Sequence, residues 1–152
     1  MERKIYLAYG SNMNVEQMAR RCPYAKLLGK TTLPDYKLLF RANSRRNAVA
    51  TVEPCPGENV PVLLWSITPF CERVLDRYEG FPTLYRKETA TVDLDGKPVE
   101  AMMYVMDESH PIGTPNCCYY SIIRDAYVNL HFDTEYLAKA VDACAEMCAD
   151  EY

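Results

Sequence analysis

The chain has 152 residues, of which 49% are hydrophobic and 25% are charged, a composition typical of soluble globular domains that excludes disordered and collagen-like classes. Seventeen basic and twenty-one acidic side chains give a formal net charge of −4, which argues against a nucleic-acid backbone as the main partner. No apolar run reaches the roughly 18 residues that a membrane span needs. We therefore expect a single domain over residues 1–152.

Seven cysteines are the first unusual feature of the composition. An odd thiol count, with no apolar signal segment after the first methionine, is typical of reduced thiols in the cytoplasm. We expect a cytoplasmic protein whose cysteines are mostly bystanders. No Cys-x-x-Cys pair occurs, so we expect no zinc or redox site, and neither a metal nor a cofactor.

The N-terminal segment predicts a strand followed by a short helix. Residues 5–9 are apolar enough for a buried first strand, and Gly10 ends it. Asn14 with Gln17 three residues later matches a capping box, which marks the start of a helix. This helix ends near Cys22, because the proline that follows cannot continue it.

The middle of the chain is rich in strand signals. Asp95-Gly96 lies between two runs of β-branched and apolar residues and indicates a hairpin. Turn residues at 54–59 separate two other runs, so we expect two strands there rather than one. The strands predicted in this region cover residues 36–40, 48–52, 60–67, 87–92 and 99–106.

Three more helices are predicted from start and stop signals. Thr68 and Thr114 are each followed by proline, so an N-cap hydroxyl precedes the residue favoured at the first helical position. Gly80 ends the first of these helices, an apolar stripe up to Leu130 marks the second, and Asp133 caps the last. Strands with helices inserted and appended predict an α+β fold, whose five or six mostly antiparallel strands must curl or be covered at their edges.

The helix after Thr68 carries the clearest chemical signal. Glu79 lies at its C-terminal end on the predicted buried side, whereas Glu72 and Asp76 lie on the predicted solvated side. Burial and the negative end of the helix dipole both raise a carboxyl pKa, as a general base near neutral pH requires. The alternative is that Glu79 points into solvent from the last turn. The rows predicted to face inward are Phe70-Val74-Tyr78 and Cys71-Leu75-Glu79.

The segment Tyr9-Gly10-Ser11-Asn12 runs from the first strand into the start of a helix. In such a turn several backbone N–H groups point to one spot, which suits a carboxylate or a developing oxyanion. It is not a phosphate loop, because no Gly-Lys-Ser/Thr follows. The pattern alone is weak, since many turns carry Gly and Asn without binding a ligand.

A small basic cluster consists of Arg41, Arg45 and Arg46. Two interpretations stay open for it. The three side chains form either a solvated loop or a handle for an anionic substrate.

The Tyr9-Gly10-Ser11-Asn12 loop and the Tyr78-Glu79-Gly80 segment together make the chain resemble the γ-glutamylcyclotransferase family, the AIG2-like group with the cyclotransferase fold. The shared order of several further segments strengthens the resemblance over most of the chain. These segments are Leu33-Pro34-Asp35-Tyr36-Lys37-Leu38, Ala48-Val49-Ala50-Thr51, Val62-Leu63-Leu64-Trp65-Ser66-Ile67, Leu75-Asp76-Arg77 with Tyr85 further on, and Pro115-x-x-x-Tyr119.

The resemblance implies a small mixed, mostly antiparallel β-barrel with surrounding helices. It also implies an enzyme that converts a γ-glutamyl amino acid or γ-glutamyl amine to 5-oxoproline, with Glu79 as the general acid/base. The residues implied to bind the γ-glutamyl head or to wall its cavity are Tyr9, Gly10, Ser11, Asn12, Met13, Tyr85 and Tyr119. Two departures from the family, Asn116 for a common serine and His131-Phe132 for Gly-Leu, bear on the choice of substrate.

Two other functions remain as alternatives at this point. The chain is either a non-catalytic binding or interaction domain that kept the cyclotransferase fold, or a thiol hydrolase that uses a cysteine and a histidine. Under the favoured interpretation the partner is a small γ-glutamyl molecule, neither nucleic acid nor a membrane is bound, and the protein is a monomer or a homodimer.

Overall fold

The computed structural model describes residues 2–43 and 47–149, and in these it contains five strands and four helices. A single 3-10 turn, Ser11–Met13, lies between the first strand and the first helix. The strands are β1 Lys4–Ala8, β2 Lys26–Ala42, β3 Ala48–Ile67, β4 Tyr85–Leu94 and β5 Lys97–Met106, and the helices are α1 Val15–Arg21, α2 Pro69–Glu79, α3 Cys117–Asn129 and α4 Thr134–Ala149.

The five strands form one sheet in the order β2-β3-β1-β5-β4. All neighbours are antiparallel except β1 and β5, which are parallel. The predicted α+β class is thereby confirmed. The sheet is not a closed barrel, because no backbone pairing joins β2 to β4 among the described residues, but the two edges approach each other: a Cβ on Gly29 would lie 3.4 Å from Cδ1 of Leu94.

The hairpin of β2 and β3 is longer than predicted. β2 begins at Lys26, and the predicted break at 54–59 is wrong because β3 continues through it. The register shifts at Asp35, so that residues 55–58 lie opposite this one residue. A bulge of this kind tolerates prolines, which cannot donate ladder hydrogen bonds, and the Gly57 N–H donates to Asp35 Oδ1 at 3.0 Å.

Local capping signals determine where α1 and α2 begin and end, as predicted. Asn14 Oδ1 accepts a hydrogen bond from the Gln17 N–H at 3.2 Å, and Thr68 Oγ1 accepts one from the Cys71 N–H at 3.1 Å. Gly80 ends α2 with a φ of 70°, in the left-handed region that favours glycine.

The start of α3 differs from the prediction by two residues. Its N-cap is Asn116 rather than Thr114, because Asn116 Oδ1 accepts a hydrogen bond from the Tyr119 N–H at 2.9 Å. Asn116 therefore fulfils the capping role that a serine would also fill. His131, the other departure from the family pattern, follows the helix with a φ of 61°.

α2 turns a different set of side chains toward the sheet from the predicted one. Cys71 and Leu75 are buried as expected, but Phe70 and Tyr78 are 61% and 47% exposed, so Val74 is the residue of their row that packs against the core. The face that α2 turns toward the sheet is shifted from the row of Phe70 toward the row of Glu72. The row of Glu72 and Asp76 therefore lies against the sheet.

Glu72 and Asp76, predicted to be solvated, form ion pairs with the sheet. Lys87 Nζ of β4 lies 2.7 Å from Glu72 and 2.9 Å from Asp76, and Lys4 of β1 lies 3.0 Å from Glu72. Burial raises the pKa of Glu72, but hydrogen bonds from the two lysines lower it by more, so the pKa lies below its ordinary value. Within the described residues Glu79 makes no such ion pair, so it differs chemically from the other two carboxylates on this side of α2.

A disulfide joins Cys22, at the end of α1, to Cys71 in the first turn of α2. The expectation of reduced thiols does not hold for this pair, because the packing of the two helices places the Cα atoms 5.4 Å apart, within bonding range. The sequence did not indicate this contact, since it depends on how α1 and α2 meet. The free cysteines are Cys55, Cys117, Cys118, Cys144 and Cys148.

α4 packs against β2 and α3, and the start of α3 borders the cavity described below. Tyr136 of α4 accepts a hydrogen bond from the Leu38 N–H, and Cys144 packs against Phe40 of β2. Tyr127 of α3 is fully buried. No helix in residues 2–43 and 47–149 combines the length and apolar character needed to cross a membrane.

Candidate active site

A cavity of about 210 Å³ opens where the end of β1, the C-terminal end of α2, the start of β4 and the start of α3 meet. Its wall is rich in tyrosine, and Glu79 contributes the carboxylate. The tyrosines that line it are Tyr6, Tyr9, Tyr78, Tyr85, Tyr104 and Tyr119.

Glu79 is the last residue of α2 and is partly buried. Burial raises the pKa of its carboxyl to about 7, because removal from water disfavours the charged form, and the positive charge of Arg21 opposes this rise. At neutral pH the group therefore exists as a mixture of the protonated and ionised forms. A group that titrates near the working pH is suited both to accept and to return a proton.

The turn after β1 approaches the opposite wall closely at Gly10. A Cβ at this position would lie 3.3 Å from the Ala50 Cβ and 3.5 Å from the Tyr119 hydroxyl, so a larger residue would crowd the cavity. The Met13 N–H donates to the Gly10 carbonyl at 3.0 Å. The N–H groups before Met13 come too early in the turn to reach one of its own carbonyls. They are therefore not used by a hydrogen bond within the turn.

Buried side chains hold this turn in place. Asn12 is 2% exposed, its Nδ2 donates to Tyr6 Oη at 3.0 Å, and its carbonyl accepts from Trp65 Nε1 at 3.0 Å. Ser11 is also buried. The turn is thus anchored to β1 and β3 before any ligand binds.

Two tyrosine hydroxyls bind the backbone of one residue on β3. Tyr85 donates to the Ala50 carbonyl at 2.7 Å, and Tyr119 accepts from the Ala50 N–H at 3.0 Å. Tyr9 donates to the Tyr104 carbonyl. Burial raises the pKa of Tyr9, Tyr85 and Tyr119 above the ordinary range, so all three are neutral at physiological pH. Because Tyr119 accepts from the backbone, its own O–H proton remains available to donate elsewhere.

The structure brings most of the predicted site residues together at this cavity. Met13 is the exception, because its side chain is fully buried in the core and does not line the cavity. The residues that do line it are Glu79, Tyr9, Gly10, Ser11, Asn12, Tyr85 and Tyr119. No cysteine or histidine is among its described lining residues, so nothing here supports a thiol hydrolase.

Sequence reasoning missed Tyr6, Tyr104 and Arg21. Tyr6 and Tyr104 reach the cavity because β1 lies beside β5, a long-range pairing that no local pattern reveals. Arg21 lies near the site because α1 packs beside the end of α2. In the sequence, Arg21 is marked only as a basic residue next to the predicted end of α1. That position alone does not indicate a contact with the site.

Arg41 is neither a solvated side chain nor a handle for substrate. Its guanidinium lies 2.9 Å from Glu53, and both side chains are 12% exposed. It also donates to the carbonyls of Glu108 and His110, at 3.0 and 2.5 Å. Its donors are therefore used within the fold, while Arg45 and Arg46 lie outside the described residues.

No group of three or more His, Cys, Asp or Glu side chains in the described ranges is arranged to hold a metal ion. Asn116 and His131, the two departures from the family pattern, are not among the described residues that line the cavity. Asn116 acts on the cavity indirectly, because it caps the helix that carries Tyr119.

The fold that forms this cavity is that of a cyclotransferase-like protein, as comparison with solved structures shows. A solved structure of a γ-glutamyl cyclotransferase matches it with a TM-score of 0.81 at 27% identity, covering 91% of this chain and 86% of that one. An uncharacterised human protein matches with a TM-score of 0.82 at 26% identity, over 92% and 87% of the two chains.

The model of the γ-glutamyl cyclotransferase, AIG2-like family matches residues 6–121, so the chain belongs to that family. Human γ-glutamylcyclotransferase is 30% identical over 110 residues, and the bovine protein of the same name is 29% identical over 110 residues. Each alignment covers 67% of this chain and 58% of the relative. The match thus spans little more than half the length of these relatives.

The raised pKa of Glu79 predicts a pH-dependent stability. Because the folded-state pKa is about 7 and the ordinary value 4.5, the folded protein holds this proton more tightly than the unfolded chain does. The resulting stabilisation is complete below pH 4.5 and is lost as the pH rises to 7, by about 3 kcal/mol. Urea unfolding of the wild type and of Glu79→Gln between pH 4.5 and 8 measures it.

We expect the free energy of unfolding of the wild type to fall relative to that of Glu79→Gln across this range. Glu146→Gln is the matched control, since Glu146 is an exposed glutamate on α4. Its profile should follow that of the wild type. Parallel wild-type and Glu79→Gln profiles would show that Glu79 titrates normally.

Proposed function

We propose that the chain is a γ-glutamyl cyclotransferase, which releases 5-oxoproline and a free amino acid or amine from a γ-glutamyl compound. The observation that carries the proposal is a partly buried carboxylate with a pKa of about 7, facing a tyrosine-walled cavity beside the Tyr9–Asn12 turn. Membership of the family supports the same reaction.

Glu79 acts as the general base and then as the general acid. The substrate's α-ammonium group cannot attack until it loses a proton, and the ionised Glu79 accepts that proton. The amine then attacks the γ-carbonyl of the same molecule and closes the five-membered ring. Glu79 returns the proton to the leaving nitrogen as the old amide bond breaks, and the second proton of the ring nitrogen passes to the released amine, which leaves as an ammonium. Nucleophile and electrophile share one molecule, so the protein mainly has to hold the cyclising conformer.

The carbonyl oxygen of the substrate becomes negative as the ring closes. Backbone N–H groups of Gly10, Ser11 and Asn12 stabilise this oxygen in the proposed mechanism, and the loss of one such donor typically costs about 10²–10³ in rate. The Tyr119 hydroxyl, which accepts from Ala50, has a proton to donate to the γ-glutamyl head. Tyr85 has a supporting role, because its proton is used on the Ala50 carbonyl.

The test is a panel of γ-glutamyl amino acids and γ-glutamyl amines, including γ-glutamyl-ε-lysine, incubated with the wild-type protein. We expect 5-oxoproline to appear with at least one substrate, in equal amount to the released amino acid or amine. The acidic limb of kcat/KM should have its midpoint near pH 7, because the ionised form of Glu79 is the active base. Compounds that bind but stay intact over hours would contradict the proposal and indicate a binding domain.

A further inference from the structure

Arg21 is the last residue of α1, and its guanidinium reaches between two parts of the candidate site. We propose that Arg21 is a positioning residue that clamps the Ser11–Asn12 turn to the last turn of α2 and holds a positive charge beside Glu79. This inference rests on the proposed cyclotransferase function and adds to it a residue that does not itself line the cavity.

The clamp consists of contacts on both sides of the guanidinium. Arg21 Nη1 donates to Asn12 Oδ1 and lies 3.4 Å from Ser11 Oγ. The guanidinium carbon lies 3.5 Å from the centroid of the Tyr78 ring, a close stacking distance. Tyr78 immediately precedes Glu79, so one side chain joins the turn to the helix end that carries the carboxylate.

The Asn12 amide makes the clamp specific. Its oxygen accepts from Arg21 and its nitrogen donates to Tyr6 Oη, so the amide orientation is determined from both ends. A planar guanidinium can donate to Asn12 while its face covers an aromatic ring. A lysine at this position would keep the charge but would lose the planar stacking surface.

Arg21 is the charged side chain that acts on Glu79, because the other titratable residues lining the cavity are tyrosines. These tyrosines are Tyr6 and Tyr9 of the β1 region, Tyr78 of α2, Tyr85 of β4, Tyr104 of β5 and Tyr119 of α3. The Tyr104 hydroxyl donates to Asp76, whose carboxylate is paired with Lys87 at 2.9 Å. Arg21 is the charge that lowers the pKa of Glu79, while burial raises it. Arg21 therefore sets how much ionised base is present at neutral pH.

The experiment compares two substitutions that separate charge from shape. Arg21→Gln keeps a hydrogen-bond donor for Asn12 but removes the charge, whereas Arg21→Lys keeps the charge but removes the planar group. Arg20→Gln is the matched control, because it makes the same charge change at an exposed position one residue earlier on α1. Circular dichroism and thermal unfolding establish that each variant folds.

Two readouts are measured on each variant. The first is the pH dependence of kcat/KM for 5-oxoproline release. The second is the ¹³C NMR titration of the Glu79 carboxyl, assigned by its absence in Glu79→Gln, which needs no substrate. A wild type that releases no 5-oxoproline from any substrate refutes the proposed function, whereas the NMR titration still tests the role of Arg21.

We expect Arg21→Gln to raise the midpoint of both titrations by about 1, as loss of a nearby opposite charge does, and thereby to lower kcat/KM at pH 7 at least about fivefold. Arg21→Lys should keep the midpoint near the wild-type value and lower kcat at all pH values alike. Arg20→Gln should change neither. An unmoved Glu79 midpoint in folded Arg21→Gln, or equal shifts in Arg21→Gln and Arg20→Gln, overturns the inference. If Arg21→Gln does not fold, Arg21→Lys decides the matter. The inference is overturned if the pH profile and the kcat of Arg21→Lys both equal those of the wild type.

Discussion

Glu79→Gln is expected to lower the release of 5-oxoproline by about 10²–10⁴-fold, because glutamine has the shape of glutamate but cannot accept the α-ammonium proton. The loss should fall on kcat rather than on KM, since the base acts on the bound substrate and the cavity wall is unchanged. Steady-state kinetics with the best substrate of the panel, together with circular dichroism of the variant, measure both quantities.

The control for this substitution is again Glu146→Gln, which exchanges the same groups on the exposed face of α4. We expect its kcat and KM to equal those of the wild type. Turnover by Glu79→Gln within tenfold of the wild-type rate would refute Glu79 as the general base. The family assignment would stand in that case, because it rests on the match over residues 6–121 and not on this residue alone.

Arg41→Met should lower the free energy of unfolding by about 3–5 kcal/mol at pH 7, because it leaves the Glu53 carboxylate mostly buried without its cation. The carbonyls of Glu108 and His110 lose a donor at the same time. Urea unfolding monitored by the fluorescence of Trp65 measures the change.

Arg86→Met is the comparison for this loss of stability. Arg86 and Glu88 also lie 2.9 Å apart, but their side chains are 45% and 35% exposed, so the pair is screened by water. We expect this variant to lose less than about 1 kcal/mol. The double variant Arg41→Met/Glu53→Met should recover much of the stability lost in Arg41→Met. Equal losses in Arg41→Met and Arg86→Met would contradict a structural role for Arg41.

The interpretation of Arg41 illustrates what a local charge pattern leaves open. Three arginines close in sequence suggested a shared role, but Arg41 lies at the end of β2 and pairs across the hairpin with Glu53 of β3. The partner of a charged side chain on a strand is set by the strand register. In this hairpin Arg41 is paired with Val49 and Glu53 with Lys37, so the ion pair joins side chains four positions apart along the ladder.

Local physical chemistry made the helix ends predictable. Asn14 and Thr68 bind N–H groups three residues ahead, and Gly80 takes a backbone conformation that other residues avoid, so each signal and its effect lie within one turn of helix. The position of Glu79 at the end of the Cys71-Leu75-Glu79 row follows from the helical repeat. The helical repeat did not show which neighbouring row of α2 also faces the sheet. That choice depends on Lys87 of β4, which pairs with Glu72 and Asp76.

The sequence by itself determined the α+β class, the ends of α1 and α2, and the two segments, Tyr9–Asn12 and Glu79, on which the candidate site depends. These are properties of short stretches, where hydrogen bonding and side-chain spacing act locally. Only the tertiary structure decided that Tyr6 and Tyr104 share the cavity, that Cys22 bonds Cys71, and that Arg21 lies beside Glu79. Each of these depends on contacts between elements far apart in the chain, and the pairing of β1 with β5 and the packing of α1 on α2 create them.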